Sequence, residues 1–594
     1  MNHLYVHCVV RRFLPHDRQS VRSARPTYRN RGFAALIAGV IGIATLASTS
    51  NAEEFTSEKS SAESPSASSD TTAAASTAPD VDAMQEMQKR SIQTQKPVYG
   101  HWGANPQEFS TWTNHSNRLI PVYTFGMTLN RWRERGSVYH DEAGLKAMDG
   151  KLGDGVVNPH ATYYDQTDIY SLQKAAVDAG YTNIIVMVFD GMDWQTTRAA
   201  SIYNTGTIPY QTGRGTGLHF QDDRRTKTDF GLVVTSAAAG GAKWDVDAQV
   251  VNSVNGGSKR GYNVQLAGRT PWDERANSEY LLGKDRSLPH IVTDSASSAT
   301  SLFSGIKTYN GSINVAVDGS QVTPIARELQ RDRGFKVGLV TSVPVSHATP
   351  AAAYANNVTR KDYQDISRDL VGLPSSAHRN EPLQGVDVLI GGGWGEGKGE
   401  DDVQGRNFAK GNPFFHQEDI KSVDLKNGGK YRVVQRNEGQ NGREALLAAA
   451  QQATDNDERL LGFYGVKGGH LPFSTADGNY DPTLDVKGKE RYSEADLIEN
   501  PDLADMTEAA LTVLEKSIDG FWLLVEAGDV DWANHANNLD NSIGAVLKGD
   551  AAFKKIMDWV DENNGWDHTV VIVTADHGHY LVIDDPKSIA EAGQ

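Results

Sequence analysis

The segment VEAGDVDWANH carries three side chains of types that bind metal ions: Glu526, Asp531 and His535. Asp531 and His535 are four residues apart, so on a helix both project from one face and can hold one cation together. A second carboxylate–imidazole pair, Asp576 and His577, lies in TADHGH. Carboxylate and imidazole ligands without a thiolate favour zinc in an open, catalytic site.

Oxygen ligands also occur and favour a different cation. Asp190, Thr349 and Glu526 offer only oxygen atoms, which suits magnesium. Cysteine is excluded as a ligand, because the single cysteine, Cys8, precedes the predicted leader cleavage site. An Asp–His pair four residues apart is also common as a surface ion pair, so the pair in VEAGDVDWANH alone would not indicate a metal site.

Ser295 lies in a run of small residues, VTDSASSAT. Such a run lets the backbone approach a bound anion, and it begins a helix whose N-terminus favours negative charge. Serine and alanine runs also cap helices and pack tightly, and for this segment alone that second interpretation is preferred.

Short apolar runs, rich in β-branched residues, alternate along the chain with amphipathic stretches. Strands that are buried on both faces have this composition, so the runs predict a parallel sheet covered by helices. The fold class is therefore predicted as α/β, a doubly wound, mostly parallel sheet flanked by helices. The Gly- and Asp-rich region from about 370 to 500 is predicted to be an insertion of loops and small-domain material. The predicted strands are 184–189, 337–341, 386–390, 460–464, 521–525 and 570–573.

The candidate ligands follow the predicted strands closely. Asp190 comes after IIVMVF, Glu526 after FWLLV, Asp576 and His577 after VVIVTA, and Thr349 a short distance after VGLVT. Ligands of open α/β sheets gather beyond the carboxyl ends of the strands. One acidic residue after a strand usually caps the next helix, but four such endings together favour a shared metal site.

These segments resemble the motifs of the alkaline phosphatase family. VTDSASSAT is similar to the family's active-serine motif at every position, and VFDGM, HATP, Arg360, VEAGDVDWANH and TADHGH occur in the family's order. The resemblance covers the chain from about residue 180 onward and none of 1–95. It implies an alkaline phosphatase-like fold, with a catalytic domain at 96–594 and the activity of a metal-dependent phosphomonoesterase.

The resemblance also implies roles for individual residues. Two zinc ions and one magnesium ion are expected as cofactors, with Ser295 as the nucleophile and Arg360 holding two phosphate oxygens. Three further side chains are expected to contact the metal ligands without binding metal: His347, Trp532 and His579. The expected metal ligands are Asp190, Asp576 and His577 for one zinc, Asp531 and His535 for the other, and Asp190, Thr349 and Glu526 for magnesium.

The implied mechanism is physically coherent. By the resemblance, zinc would lower the pKa of the Ser295 hydroxyl, which would attack phosphorus in line as an alkoxide. A second zinc would stabilise the leaving alkoxide and then activate the water that hydrolyses the phosphoserine. Small phosphate monoesters are the expected substrates. The quaternary structure stays open, with a homodimer as one candidate.

The zinc site of Asp531 and His535 lacks one expected ligand. Catalytic zinc usually has three protein ligands, and in the family the third is a histidine well downstream of this pair. Seventeen residues follow His577, and His579 among them matches a different family position. We therefore expect weak zinc binding at this site, and we interpret the sequence as a fragment or truncated product of an alkaline phosphatase, catalytically impaired as it stands.

The N-terminal residues have the composition of an export signal. In 29–52, basic residues precede an apolar run and then small residues, which predicts a leader at 1–52 and a periplasmic or secreted protein. The apolar run is shorter than a membrane span needs, so no span is expected after cleavage. Sec and twin-arginine export both stay open, as does the start codon. Residues 53–95, rich in Ser, Ala, Thr and Glu, predict a disordered linker.

The net charge and the residue types at the candidate site exclude several other functions. The net charge of −17 provides no basic surface for nucleic acid. Phosphodiesterases of the wider superfamily usually use a threonine nucleophile and sulfatases a modified cysteine, and neither matches Ser295. A non-catalytic metal-binding protein is the remaining alternative. Ser295 and Arg360 argue against it, because metal binding alone needs neither.

Overall fold

The computed structural model describes residues 82–149, 152–255, 261–273, 276–284, 291–482, 491–563 and 565–594. They belong to one unit of the chain, 78–594. The predicted leader at 1–52 and most of the predicted linker lie outside the described residues. Among the helices of these ranges, none has both the length and the apolar character to cross a membrane.

Strands occur along the whole described chain. They are β1 (Gly100–Trp102), β2 (His115–Ser116), β3 (Ile120–Phe125), β4 (Tyr164–Asp165), β5 (Asn183–Phe189), β6 (Thr228–Val234), β7 (Ala242–Asp245), β8 (Val250–Val254), β9 (Lys336–Pro344), β10 (Val388–Gly392), β11 (Tyr431–Gln435), β12 (Arg459–Phe463), β13 (Phe521–Ala527), β14 (Thr569–Thr574), β15 (Gly578–His579) and β16 (Leu581–Ile583).

Helices separate most of these strands. They are α1 (Ala83–Thr94), α2 (Asn130–Arg135), α3 (Glu142–Asp149), α4 (Gln166–Asp178), α5 (Trp194–Thr205), α6 (His219–Asp222), α7 (Val264–Ala267), α8 (Ser278–Leu281), α9 (Ser295–Ser304), α10 (Ile325–Arg333), α11 (Ala348–Tyr354), α12 (Tyr363–Val371), α13 (Gln417–Val423), α14 (Gly442–Asp455), α15 (Glu494–Ile498), α16 (Leu503–Leu514), α17 (Asp529–His535), α18 (Leu539–Glu562) and α19 (Pro586–Ala592).

A ten-stranded sheet forms the centre of the molecule, in the order β11-β12-β10-β9-β13-β5-β14-β3-β6-β4. From β11 to β14 every neighbouring pair is parallel. β3 is antiparallel to both β14 and β6, and β4 is parallel to β6. The prediction of a mostly parallel α/β sheet is confirmed.

Helices cover both faces of this sheet. Trp522 of β13 donates its indole N–H to Gln173 of α4 at 2.9 Å and packs edge-on against Phe303 of α9. Successive residues of a strand point to opposite faces. The next residue, Leu523, packs with Leu514 of α16 over a glycine of β9. The sheet is therefore doubly wound, as the apolar runs predict.

The predicted insertion at about 370–500 does not stand apart from the sheet. It supplies β10, β11 and β12, which form one end of the ten-stranded sheet. Their apolar residues are buried, among them Leu389, Ile390 and Leu461. β10 and β12 overlap the strands predicted at 386–390 and 460–464, whereas β11 lies where loops and small-domain material were expected. The interpretation is therefore wrong for β11, because the glycine-rich stretches around it lie between strands rather than replacing them.

The predicted linker also requires a correction, because its last part is the helix α1. Met84 is fully buried in the main core. Gln88 donates to Asn537 O at 3.1 Å and accepts from Leu539 N at 3.1 Å, which ties the helix to the start of α18. The prediction of disorder is wrong for Ala83–Thr94. The average composition of residues 53–95 is polar, and it does not reveal that a few side chains near the end of this segment pack against the core.

Candidate active site

The register of the central strands brings their carboxyl ends to one level. Glu526 of β13 pairs with Val188 of β5 and with Thr341 of β9. Thr574 of β14 pairs with Val188 from the other side. Asp190 therefore leaves the sheet beside Glu526, and the residues after β14 leave beside both. The predicted ligands that follow these strands therefore lie at the predicted edge of the sheet.

Asp190, Asp576 and His577 form a close group around the hydroxyl of Ser295. His577 Nε2 lies 3.3 Å from Asp190 Oδ1 and 3.4 Å from Asp576 Oδ2. Ser295 Oγ lies 3.1 Å from His577 Nε2 and 3.5 Å from Asp190 Oδ1. The backbone N–H groups of Gly191 and His577 donate to Asp576 Oδ1 at 2.9 and 2.8 Å, which fixes that carboxylate. Three predicted metal ligands thus meet the predicted nucleophile.

Ser295 is the first residue of α9, and the cap of that helix positions it. Asp294 is the N-cap, and its side chain accepts a hydrogen bond from Ser297 N at 3.0 Å. The small side chains allow every residue of the helix to be buried. Arg360 Nη1 donates to Asp294 Oδ2 at 3.2 Å, while the Arg360 side chain remains 24% exposed. The guanidinium is thus held at the start of the serine helix with part of its surface free for a ligand.

Asp531 and His535 lie on one helix, α17, as their spacing predicts. His535 Nε2 lies 3.6 Å from Asp531 Oδ1. The same oxygen lies 3.8 Å from His577 Nε2, so the two predicted zinc sites adjoin. Gly191 permits this approach. Its φ is +73°, and a Cβ there would lie 3.0 Å from Asp531 Cα and from His579 Cδ2.

Two more histidines, His579 and His115, lie close to the carboxylate of Asp531. His579 Nε2 lies 2.7 Å from Asp531 Oδ1, the kind of contact with a ligand that the resemblance implies. His115, which the sequence analysis missed, lies 3.6 Å from this oxygen, and its Nε2 is 3.0 Å from His535 Nε2. The His115 ring also stacks on His577 with 3.7 Å between ring centroids. Because 420 residues separate His115 from His535, no local spacing pattern could have found it.

The ligand atoms of these residues form two groups. In each group the atoms lie within 4.8 Å of one another: His115, Asp531, His577 and His579 in one, and Asp190, Asp576 and His577 in the other. His535 lies next to the first group, and the exposed Trp112 ring stacks on His535 with 5.5 Å between centroids.

Glu526 and Thr349 present buried oxygens to the site. Glu526 Oε2 accepts a hydrogen bond from Thr341, whereas Oε1 has no partner among the described residues. Thr349 Oγ1, in the first turn of α11, is likewise buried without a hydrogen bond to the described chain, although it lies close enough to lower the pKa of Glu526. A buried oxygen without a partner is costly, and both atoms suit a hard cation.

His347 and Trp532 lie together in an aromatic cluster. The His347 ring stacks on Tyr363 at 5.6 Å and tilts against Trp532 at 5.4 Å between centroids. His347 is the residue before α11, yet its side chain makes no capping hydrogen bond. Burial, aided by the charge of Arg360, lowers the pKa of His347 to about 3. The ring is therefore neutral at physiological pH.

The buried carboxylates shift one another's pKa values. Burial, followed by the charges of Asp576, Asp531 and Glu526, raises the pKa of Asp190 well above its usual range. Burial also raises the pKa of Glu526 to about 7. Burial alone would raise the pKa of Asp531 too, but His535 and the other nearby histidines outweigh it and hold that pKa well below its usual range.

These residues fit bound metal ions. Four carboxylates lie close together in a buried site, and cations would offset the repulsion between their ionised forms. Asp576 Oδ2 and Glu526 Oε1 are buried without a hydrogen-bond partner in the described part of the chain. The mixed nitrogen and oxygen donors suit zinc, and the oxygen-only donors suit magnesium.

Comparisons with known proteins agree on one family. The family model described as alkaline phosphatase matches residues 265–590. Alkaline phosphatase 3 of Bacillus subtilis is 30% identical over 307 residues, covering 51% of this chain and 53% of its own length. The alkaline phosphatase of Escherichia fergusonii is 30% identical over 330 residues, covering 53% of this chain and 63% of its own length.

Solved structures of similar proteins are more distant. The crystal structure of Thermus thermophilus alkaline phosphatase matches with a TM-score of 0.39 and 23% identity, covering 67% of this chain and 60% of that one. The chain spans about half the length of the curated relatives Alkaline phosphatase 3 and Alkaline phosphatase 4 of Bacillus subtilis.

Proposed function

The chain belongs to the alkaline phosphatase family, and from this premise we propose that it hydrolyses phosphate monoesters through a phosphoserine formed on Ser295. The observation that carries the proposal is the position of Ser295 Oγ, 3.1 Å from His577 Nε2 and 3.5 Å from Asp190 Oδ1. The same residue begins α9, and a helix N-terminus favours a bound phosphate.

Side chains and backbone groups of the protein have separate roles in the proposed reaction. Ser295 Oγ attacks phosphorus opposite the leaving oxygen, so a serine O–P bond forms as the ester P–O bond breaks. The proton lost by Ser295 is matched by the one that the leaving alkoxide gains. Water then attacks the same phosphorus, the serine O–P bond breaks, and phosphate departs. Arg360 and the N-terminus of α9 hold the non-bridging oxygens.

The proposal includes two zinc ions and one magnesium ion. When bound, they supply the positive charge that lowers the pKa of the Ser295 hydroxyl and stabilises the leaving oxygen. Support comes from one buried oxygen each of Asp576 and Glu526 that has no hydrogen-bond partner within the described ranges. The residues that would hold the ions are Asp190, Asp576 and His577 for one zinc, Asp531 and His535 for the other, and Asp190, Thr349 and Glu526 for magnesium.

A trapping experiment tests this function. The full chain is incubated with a labelled phosphate monoester and quenched in acid, and the labelled peptide is sequenced. We expect the label on Ser295 and no label in Ser295→Ala. Ser301→Ala, a substitution in the same helix, serves as the matched control and should retain the label. Label on another residue, or turnover of phosphodiesters or sulfate esters in preference to monoesters, would contradict the proposal.

We also propose that the protein acts outside the cytoplasm. The apolar run in 29–52 with its basic flank and small C-terminal residues supports export. Mass spectrometry of the N-terminus of the exported protein tests this, with cleavage after Ala52 as the expected result. A cytoplasmic protein with an intact N-terminus would contradict it.

A further inference from the structure

Backbone hydrogen bonds fix the segment around His115 against the Asp531–His535 site. Thr113 N donates to His535 O at 3.0 Å. β2 pairs antiparallel with β15, and in this register His115 lies opposite His579. His115 itself is buried. The ring is therefore positioned by the backbone of two segments that carry other histidines of the site.

The hydrogen bonds of two imidazole rings decide which ring nitrogen carries the proton when the ring is neutral. His115 Nδ1 lies 3.0 Å from Thr293 O, and His535 Nδ1 lies 2.8 Å from Thr113 O. A carbonyl oxygen only accepts, so each Nδ1 must carry the proton and donate it. In a neutral ring Nε2 then has a free lone pair. Histidines that bind metal through Nε2 are commonly oriented in this way by a carbonyl.

These two nitrogens face each other and a carboxylate. The Nε2 atoms of His115 and His535 are 3.0 Å apart, and each lies 3.6 Å from Asp531 Oδ1. Two lone pairs at this distance repel unless a cation lies between them. Ligands held about 2.0–2.1 Å from a tetrahedral zinc are about 3.3 Å from one another, close to the separations seen here.

We propose that His115 binds the metal ion of the Asp531–His535 site through Nε2. This inference rests on the metal-binding part of the proposed function, not on the phosphatase reaction. His115 lies outside the residues, 265–590, that the family model matches, so the family motifs do not assign it a role. Two imidazoles and one carboxylate form a donor set that suits zinc. The competing interpretation is an extra proton shared between the two rings, which needs no metal.

Zinc titration of the full chain tests the inference. The protein is stripped with a chelator and titrated with Zn²⁺ against a chromogenic competitor, which gives the number and affinity of bound ions. The informative variant is His115→Phe, because it keeps a ring to stack on His577 and removes both ring nitrogens. We expect it to weaken the binding of one zinc per chain by about 100-fold or more. The control His140→Phe removes a histidine outside the site and should bind zinc as wild type does.

A second measurement needs no variant. X-ray absorption at the zinc edge of the fully loaded wild-type protein counts imidazole ligands. We expect an average of about 1.5 imidazoles per zinc if His115 binds, against about 1.0 if it does not. The lower value would overturn the inference. Equal zinc affinities of the wild type and of a folded His115→Phe variant would also overturn it, and so would a wild-type protein that binds no zinc at this site. Zinc bound through His115 in a chain that forms no phosphoserine would overturn the proposed function and leave this inference standing.

Discussion

Ser295 Oγ lies 3.1 Å from His577 Nε2, although 282 residues separate the two in the chain. One is the first residue of a helix, and the other follows a central strand. Both positions depend on backbone elements rather than on flexible loops. The hydroxyl of Ser295 is therefore held in place before any substrate binds, which suits a nucleophile.

Replacing Ser295, the proposed nucleophile, should abolish most turnover without changing metal binding. In Ser295→Ala, we expect turnover of a chromogenic phosphate monoester to fall by at least about 1,000-fold, with the metal content unchanged, because the carboxylates and imidazoles remain. Elemental analysis and steady-state kinetics check this, with Ser301→Ala as the control. A loss of metal in Ser295→Ala would show that the serine has a structural role instead.

Arg360 should control phosphate binding. In Arg360→Ala, we expect inhibition by inorganic phosphate to weaken by about 10- to 150-fold, since a charge-assisted contact contributes about 1.5–3 kcal/mol. Arg360→Lys, which keeps the charge but loses the planar fork, should give an intermediate constant. Unchanged phosphate inhibition in Arg360→Ala would mean that the side chain only forms an ion pair with Asp294.

His347→Asp should change the magnesium site. His347 lies two residues before Thr349 at the start of α11, and a carboxylate there adds negative charge near the predicted magnesium ligands. We expect tighter Mg²⁺ retention and slower turnover, measured by chelator competition and kinetics. His347→Asn is the matched control, because it has the same shape and can also cap α11 but carries no charge. Equal Mg²⁺ affinity in the Asp and Asn variants would contradict the electrostatic explanation.

Asp540 should make stability depend on pH. Burial raises its pKa to about 7 from 3.8; Oδ1 accepts a hydrogen bond from Ala476 N, and Oδ2 has no partner in the described residues. The folded state therefore keeps the proton between these pH values while the unfolded state loses it. The free energy of unfolding contributed by this group falls as pH rises from about 4 to 7, by on the order of 4 kcal/mol.

Asp540→Asn should remove this slope, because the amide stays neutral and can still accept from Ala476 N. Denaturant unfolding of both proteins at several pH values gives the difference in unfolding free energy. We expect the difference to shift in favour of Asp540→Asn between pH 4 and 7 and to level off above about pH 7. A difference that is constant with pH would show that Asp540 is already ionised in the folded protein at low pH.

The helix α1 should contribute measurably to stability. Met84 is fully buried, and truncating a buried methionine costs about 2–5 kcal/mol. We expect Met84→Ala to lower the free energy of unfolding by this amount, measured by denaturant titration. Arg90→Ala, at an exposed position of the same helix, should change it by less than about 0.5 kcal/mol. Equal effects of the two substitutions would show that α1 is not docked in solution.

Local patterns in the sequence were sufficient for the fold class and for the strand-end positions of several candidate ligands. The apolar runs of the central strands are buried on both faces, so their composition alone indicated a parallel sheet. Asp190 and Glu526 could be placed because ligands gather where such strands end. The Asp531–His535 spacing and the small residues after Ser295 are local signals too, but each alone favours a structural role. Their assignment to the site needed the neighbouring motifs or the family resemblance.

Other features could not be predicted because long-range contacts decide them. Residues 83–94 have few large apolar side chains. Their place as a helix packed on the core depends on contacts with α18, which lies far away in the sequence. Within the region at about 370–500, the apolar runs of β10 and β12 could be predicted, but β11 could not, because its glycine-rich surroundings indicate loops. The sequence by itself determined which residue types follow which strands. Only the tertiary structure brought His115 to within 3.0 Å of His535, because the pairing of β2 with β15 joins segments that share no local pattern.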